Sequence, residues 1–197
     1  DRLTLSMDWF NKKTKDLLIT GTTPSLIIGG TTSPINAGNV SNKGFEFEIG
    51  WRDNIGDFNY SIKGNLATLK NKVTYLDPSL TRANGTTFHT NTITYFEEGY
   101  PVYYFRGYRC EGINPEDGEP IFADLDNNGI INEDDKTYIG DAIPDFTYGL
   151  TLTAAWKGLD LTIFGSGSYG NDVFSCINRP DHASANKLSE VFYKDRW

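Results

Sequence analysis

The sequence predicts an all-β chain, a segment of a large antiparallel β-barrel that spans a membrane and carries long extracellular loops. Three observations predict this fold class. Five stretches of the chain alternate apolar and polar residues over about one strand length each. Aromatic residues make up 14% of the 197 residues and are accompanied by 20 glycines. Short connections join the predicted strands at one end and long ones at the other, which is typical of bacterial outer-membrane barrels.

Each predicted strand has one apolar and one polar side, because successive side chains on a strand point to opposite faces. The strands cover residues 2–12, 42–53, 57–71, 146–157 and 159–169. Their apolar positions are, in chain order, Leu3, Leu5, Met7, Trp9, Phe45, Phe47, Ile49, Trp51, Phe58, Tyr60, Ile62, Tyr148, Leu150, Leu152, Ala154, Trp156, Leu159, Leu161 and Ile163. A sheet that contacts hydrocarbon on one face and water on the other requires this pattern.

The connections set the orientation of the predicted sheet. Turn-forming residues at 54–57 and 157–158 make two short connections, which are periplasmic in bacterial barrels. The predicted extracellular loops cover residues 19–41, 77–145 and 170–197, and the last contains a short predicted helix over residues 183–197. Trp51 and Trp156 precede the short turns, where an indole at the inner membrane boundary is expected. Five strands do not close a barrel, since about eight is the smallest number that does.

The negative charge of the chain is concentrated in one segment. The formal net charge is −8, and residues 111–145 alone hold eleven acidic residues and one basic residue. A nucleic-acid-binding protein needs a basic track, and the sequence has none, so no nucleic-acid partner is expected. The acidic segment instead indicates cation binding.

Residues 124–135 match the twelve-residue calcium loop of the EF-hand type. Calcium prefers six to eight oxygen ligands, and this loop supplies them from alternate positions around a sharp turn at glycine 6. The candidate ligands are Asp124, Asp126, Asn128, the carbonyl of Ile130, Asn132 and Asp135. Position 12 is Asp instead of the usual Glu and no helices flank the loop, so a structural calcium ion is predicted in preference to a switch. The alternative is a solvated acidic loop without a metal.

Other motifs carry less information. The G-x-G-x-x-G spacing at residues 165–170 is not followed by a helix, and His89 and His182 lack metal-site spacing, so no catalytic or nucleotide-binding residues are predicted.

The aromatic loop region offers candidate contacts to substrate or partner at Tyr103, Tyr104, Arg106, Tyr108 and Arg109, with packing between loops as the alternative use. Cys110 and Cys176 form a disulfide or remain two free thiols, and the sequence leaves both possibilities open.

The order of these motifs resembles the C-terminal half of the SusC/RagA family of TonB-dependent outer-membrane transporters. The resemblance covers nearly the whole chain. It rests on residues 2–18, 39–48 (with GFEFE), 98–109, 124–135, 139–140, 143–149 (IPDFTYG), 157–161 and 195–197.

The resemblance implies a 22-stranded barrel in the outer membrane of a Gram-negative bacterium of the Bacteroidetes. It further implies import of oligosaccharides or peptides, energised by TonB–ExbB–ExbD, with a SusD-like surface lipoprotein as a lid and lipid around the barrel. The family's plug domain, TonB box and final strands are expected to be missing from this sequence. Two alternatives from other classes are a secreted, calcium-stabilised β-sandwich that binds carbohydrate and a surface-exported hydrolase.

Overall fold

The computed structural model describes residues 2–20, 34–88, 91–175 and 194, and its regular structure is almost entirely β-sheet. The strands are β1 (Leu3–Thr20), β2 (Pro34–Ile55), β3 (Phe58–Thr68), β4 (Lys70–Leu76), β5 (Ala83–Asn84), β6 (Thr87–Phe88), β7 (Asn91–Thr92), β8 (Thr94–Phe96), β9 (Tyr104–Tyr108), β10 (Cys110–Ile113), β11 (Pro120–Phe122), β12 (Lys136–Gly140), β13 (Phe146–Trp156) and β14 (Leu159–Tyr169). One 3-10 helical turn covers Glu133–Asp135. The predicted all-β class is confirmed.

The main sheet is antiparallel and runs in the order β1-β2-β3-β13-β14. Strand β4 continues the line of β3 along the same edge of β2, after a break at Leu69. Tight turns close β2–β3 and β13–β14 at the same end of the sheet, since Ile55, Phe58 and Trp156 lie in one row of paired residues. Gly56 and Gly158 have positive φ in these turns, a conformation that glycine adopts without steric cost.

The register places most apolar side chains on one face of the sheet and most polar side chains on the other. Exceptions include Phe10 and Phe164 on the polar face and Asp53 on the apolar face. Residues directly opposite one another on paired strands project from the same face. One row of the apolar face consists of Leu3, Trp51, Ile62, Leu152 and Ile163. Most large apolar side chains on this face are exposed, from 38% for Phe58 to 71% for Ile55. The sheet therefore presents an uncovered apolar surface, which a soluble two-layer fold would bury.

Strands β1 and β2 extend beyond the bounds that the sequence predicts. Strand β1 ends at Thr20 and β2 begins at Pro34, so the prediction of a loop over residues 19–41 is wrong for residues 19–20 and 34–41. The predicted third strand, residues 57–71, is divided at Leu69 into β3 and β4. Alternation stops after Trp9 because residues 11–16 are all polar, whereas the backbone pairing to β2 continues there. A strand that leaves the hydrocarbon no longer needs an apolar face.

The chain divides into two compact units, Asp1–Arg106 with Gly140–Asp172 and Gly107–Ile139 with Val173–Trp197. The first unit holds the main sheet and a buried core beside the long connections. This core consists of Ala37, Val40, Val73, Leu76, Leu80, Ala83 and Phe96. Val40 pairs with Val73 across β2 and β4, on the face opposite the apolar surface. The core thus stabilises the ends of the strands beside the long connections.

The second unit contains the β10–β11 hairpin and residues 111–139 of the acidic segment. Cys110 pairs with Phe122 and Ile113 with Pro120, around a turn in which the Gly118 N–H donates to the carbonyl of Asn114 at 2.8 Å. The predicted loop over residues 77–145 therefore contains ordered short strands. The helix predicted over residues 183–197 lies outside the described residues apart from Lys194. Among the described residues, the structure has no helix long and apolar enough to cross a membrane.

Gly44 makes the closest backbone approach in the main sheet, and we expect Gly44→Ala to destabilise it. A Cβ atom at this position would lie 1.9 Å from the carbonyl oxygen of Thr68, so β2 and β3 would have to move apart. Overpacking of this kind costs about 1–3 kcal/mol. Gly64→Ala is the control, because its Cβ would have its nearest neighbour at 3.5 Å, an ordinary contact. Urea unfolding of the intact protein in detergent measures both, and equal midpoints would contradict the prediction.

Candidate functional site

Aromatic side chains border the apolar face at both ends. At the end with the long connections, Trp9 lies opposite Phe45, and Phe146 lies opposite Tyr169 with its ring stacked at 5.2 Å between centroids. At the end with the tight turns, Phe58 lies opposite Trp156. These are the positions of the aromatic girdles that flank the hydrocarbon in outer-membrane barrels.

One tryptophan departs from this arrangement. The sequence places Trp51 at the inner boundary with Trp156, but Trp51 lies opposite Ile62, two rows of residues away from the tight turns. It belongs to the body of the apolar face. The difference arises because β2 extends to Ile55, two residues beyond its predicted end.

The distance between the girdles matches the thickness of a membrane. Strand β13 runs from Phe146 in one girdle to Trp156 in the other. At about 3.4 Å per residue and a strand tilt of about 40°, this length corresponds to a height of about 25 Å. The apolar band of outer-membrane barrels has the same height.

The opposite face of the main sheet is mainly polar, although it also carries the large apolar side chains of Phe10 and Phe164. Its hydroxyls bond across strands, since the Ser61 and Thr153 oxygens lie 2.6 Å apart. Lys63 lies opposite Thr151 on this face, and Glu48 opposite Asn65. A water-filled barrel interior requires such a surface, whereas hydrocarbon would exclude it.

The loop at residues 124–135, called the acidic loop below, brings three carboxylates together. Oxygens of Asp124, Asp126 and Asp135 all lie within 4.8 Å of one another. The Asp124 carboxylate accepts hydrogen bonds from the backbone N–H of Asn128 at 3.2 Å and of Gly129 at 2.7 Å. Gly129 has a φ of +80°, which permits the sharp turn. The loop is therefore coiled with its acidic side chains directed to one centre.

Asp135 closes the acidic loop from the end of the sequence motif. It is fully buried and accepts hydrogen bonds from the backbone N–H of Leu125 and of Asn132, both at 2.8 Å. The pKa of the Asp135 carboxyl is lowered below its usual value, mainly by the hydrogen bond from the Asn132 N–H. Burial acts to raise this pKa, and the N–H groups of Leu125 and Asp126 add to the lowering. The carboxyl therefore has a lower pKa in the folded state than in the unfolded state. The resulting stabilisation is present at pH values above the unfolded-state pKa, and it is lost as the pH falls through the folded-state pKa.

The remaining predicted ligands lie in the same coil. The side-chain amide of Asn128 donates through Nδ2 to an Asp126 oxygen at 2.7 Å, and its Oδ1 accepts from the N–H of Ile130 at 2.7 Å. The Asn132 side-chain Oδ1 caps the 3-10 turn by accepting from the N–H of Asp134. Each of the three carboxylates keeps at least one lone pair beyond these bonds, so each retains the capacity to bind a hard cation.

The predicted contact residues of the first unit differ in accessibility. Tyr103 is 53% exposed, whereas Tyr104 is only 2% exposed. The Tyr104 hydroxyl donates to Glu97, which also pairs with Arg82 at 3.5 Å. Burial and the Glu97 carboxylate raise the pKa of Tyr104. Tyr104 is thus a core residue of the loops, and Arg106 lies half-buried over the ring of Tyr95 at 5.8 Å.

In the second unit, Tyr108 packs against Phe122 with ring centroids 5.4 Å apart, and it also receives the Lys136 ammonium at 5.2 Å from its ring. Arg109 is exposed and pairs with Glu111 at 3.2 Å. The Cys110 thiol is exposed and free, directed to the carbonyl of Gly112. Its candidate disulfide partner, Cys176, lies outside the described residues. Of the five predicted contact residues, Tyr103 and Arg109 are the exposed ones.

Comparison with known proteins places this architecture in a family. The family described as "TonB dependent receptor-like, beta-barrel" matches residues 1–187. TonB-dependent receptor P3 of Formosa agariphila is 33% identical over 89% of this chain and 19% of its own length. TonB-dependent receptor SusC of Bacteroides thetaiotaomicron is 26% identical over 88% of the chain and 18% of its own length.

Solved structures agree with these sequence matches. The RagAB peptide transporter superposes with a TM-score of 0.73 and 26% identity, over 86% of this chain and 19% of the transporter chain. The "open-open" state of the RagAB peptide importer gives a TM-score of 0.71 at 26% identity, over 86% of this chain and 19% of that one. The chain thus spans about a fifth of the length of the relatives that it matches.

Proposed function

The chain belongs to the TonB-dependent receptor-like β-barrel family, and we propose that it forms part of the wall and outer loops of an importer in the outer membrane of a Gram-negative bacterium. The two-faced main sheet carries this proposal. Its apolar side chains from Leu3 to Ile163 are exposed between two aromatic girdles, and the opposite face is polar. Lipid on one side and a hydrated interior on the other satisfy both faces.

The proposed cargo is an oligosaccharide or a peptide, taken up with energy from TonB–ExbB–ExbD and with a SusD-like lipoprotein as partner. Similarity to SusC and to the RagAB peptide transporter supports this part of the proposal. The long connections would face outward, where Tyr103 and Arg109 offer exposed aromatic and cationic groups to cargo or lipoprotein.

The β-sandwich alternative is disfavoured by the same surface. A sandwich buries one face of each sheet against a second layer. Within residues 2–20, 34–88 and 91–175, no second layer covers the apolar face, where Leu5 is 64% exposed and Leu161 58% exposed. Family membership disfavours it independently.

The acidic loop is proposed to hold a structural calcium ion. Two observations support this proposal. The spacing of the candidate ligands in the sequence is that of a calcium loop, and oxygens of Asp124, Asp126 and Asp135 lie within 4.8 Å of one another in the coiled backbone. Asn128, the Ile130 carbonyl and Asn132 would complete an oxygen-only ligand set, which calcium prefers. The ion would neutralise three neighbouring carboxylates and stiffen the loop.

Uptake by living cells tests the proposed function. Cells carrying the intact protein should accumulate a labelled oligosaccharide or peptide pool, and accumulation should stop when TonB or the co-produced lipoprotein is deleted. The pool that is taken up identifies the cargo class. Uptake that continues without TonB would contradict the proposal, because energy-coupled import depends on it.

A further inference from the structure

Four lysines lie immediately beyond the outer aromatic row, on the apolar face of the main sheet. The register pairs Trp9 with Phe45, then Asn11 with Lys43, then Lys13 with Ser41. Across the other edge of β2, Lys70 lies opposite Lys43 and Lys72 opposite Ser41. Because opposite residues share a face, the four lysines project from the same side as Trp9 and Phe45. These residues are called the lysine band below: Lys13, Lys43, Lys70 and Lys72.

The charges of the lysine band are not neutralised within the described part of the chain. All four side chains are exposed, and none makes an ion pair with a described residue. Asp141 and Asp145 are the carboxylates nearby, and they line the same crevice of about 720 Å³ as Lys43, Lys70 and Lys72. The lysines outnumber them, so the band keeps a positive charge.

Ser41 provides a second and independent observation. Its side chain lies between Lys13 and Lys72 and is only 5% exposed. Its hydroxyl oxygen has no hydrogen-bond partner among the described residues. Buried hydroxyls in folded proteins nearly always have a partner, so this one indicates an acceptor beyond the described residues.

We propose that the lysine band and the Ser41 hydroxyl bind the phosphorylated headgroup of a lipid in the outer leaflet of the membrane. This inference rests on the proposed function, because that function places the long-connection end of the sheet at the outer leaflet. Acyl chains lie against the apolar face below Trp9, and the headgroup phosphate then lies at the height of the lysines. Lysine stems cover apolar surface while their ammonium groups reach polar headgroups, and the Ser41 O–H donates to a phosphate oxygen.

Lipid binding to the intact outer-membrane protein in detergent tests this proposal. The probe is phosphorylated lipid A, with dephosphorylated lipid A as its control, and native mass spectrometry measures the fraction of protein that retains lipid. The double variant Lys13→Gln with Lys72→Gln should bind phosphorylated lipid A about tenfold more weakly, because each lysine at a membrane surface contributes to headgroup attraction. Dephosphorylated lipid should bind weakly to all forms.

The matched control removes two charges from the other face. Lys12 pairs with Asn42 and Lys63 with Gly50, on the polar face, so Lys12→Gln with Lys63→Gln should leave lipid binding unchanged. Equal weakening by the two double variants, no weakening by the first, or equal binding of the dephosphorylated lipid would overturn the proposal.

Ser41→Ala separates the hydroxyl from the charges. It should lower binding of phosphorylated lipid A about tenfold, since one hydrogen bond to a charged group is lost. The unfolding midpoint should not fall, because the Ser41 hydroxyl makes no hydrogen bond to a described residue. Unchanged binding would remove Ser41 from the site. The failure of this inference can be distinguished from the failure of the proposed function. If the proposed function is wrong, the protein is absent from the outer-membrane fraction or imports nothing. If only this inference is wrong, localisation and import are both unchanged.

Discussion

Ile62→Arg should prevent or severely weaken assembly of the barrel in the membrane. Ile62 lies near the middle of β3, is 44% exposed, and has Trp51 and Leu152 as its cross-strand neighbours on the apolar face. An arginine there would place a charge in the hydrocarbon, about halfway between the girdles. The expected loss is about 2–4 kcal/mol, the cost of a basic residue at the midplane of an outer-membrane barrel.

Asn65→Arg on the same strand is the matched control. Asn65 is exposed on the polar face and lies opposite Glu48, so the added charge meets water and a carboxylate. The chain already carries Lys63 on that face, one residue from Ile62. The measurement is the urea-dependent unfolding of the intact protein in lipid vesicles, together with its amount in outer membranes. Equal destabilisation by the two variants would show that the apolar face does not contact lipid.

The part of the fold inside the hydrocarbon could be predicted from sequence, because lipid constrains every second residue. The alternation from Leu3 to Trp9 and from Tyr148 to Trp156 follows directly from that constraint. Beyond the girdles the constraint disappears. Residues 11–14 and 17–20 of β1 pair with β2 there without apolar–polar alternation, so periodicity gives no sign that the strands continue.

The acidic loop was predictable for a different reason. All of its candidate ligands lie within twelve consecutive residues, so sequence spacing alone specifies which side chains converge. The burial of Tyr104 could not be predicted from sequence, because it depends on the hydrogen bond to Glu97 and on the packing of neighbouring loops. The lysine band also depends on register, since Lys13 and Lys72 flank Ser41 only after β1 and β4 pair with β2.

Asp126→Asn should weaken calcium binding to the acidic loop without unfolding it. The Asp126 side chain is exposed and contributes one of the three converging carboxylates. The change to Asn keeps a carbonyl oxygen but removes a charge, and affinity in such loops follows the charge of the ligands, so a loss of about tenfold or more is expected. Titration calorimetry of the intact protein with calcium chloride measures this loss.

Asp134→Asn is the control for charge alone. Asp134 lies in the same loop and is exposed, but its position in the motif is not a ligand position. Its backbone N–H, which bonds to Asn132, is unaffected by the substitution. This variant should therefore bind calcium almost as tightly as the parent does.

Chelation should increase protease cleavage within residues 124–135 of the parent, because three carboxylates within 4.8 Å then repel one another. Equal cleavage with and without chelator, or equal affinities for the two variants, would show that the loop is ordered by its own hydrogen bonds and not by a metal.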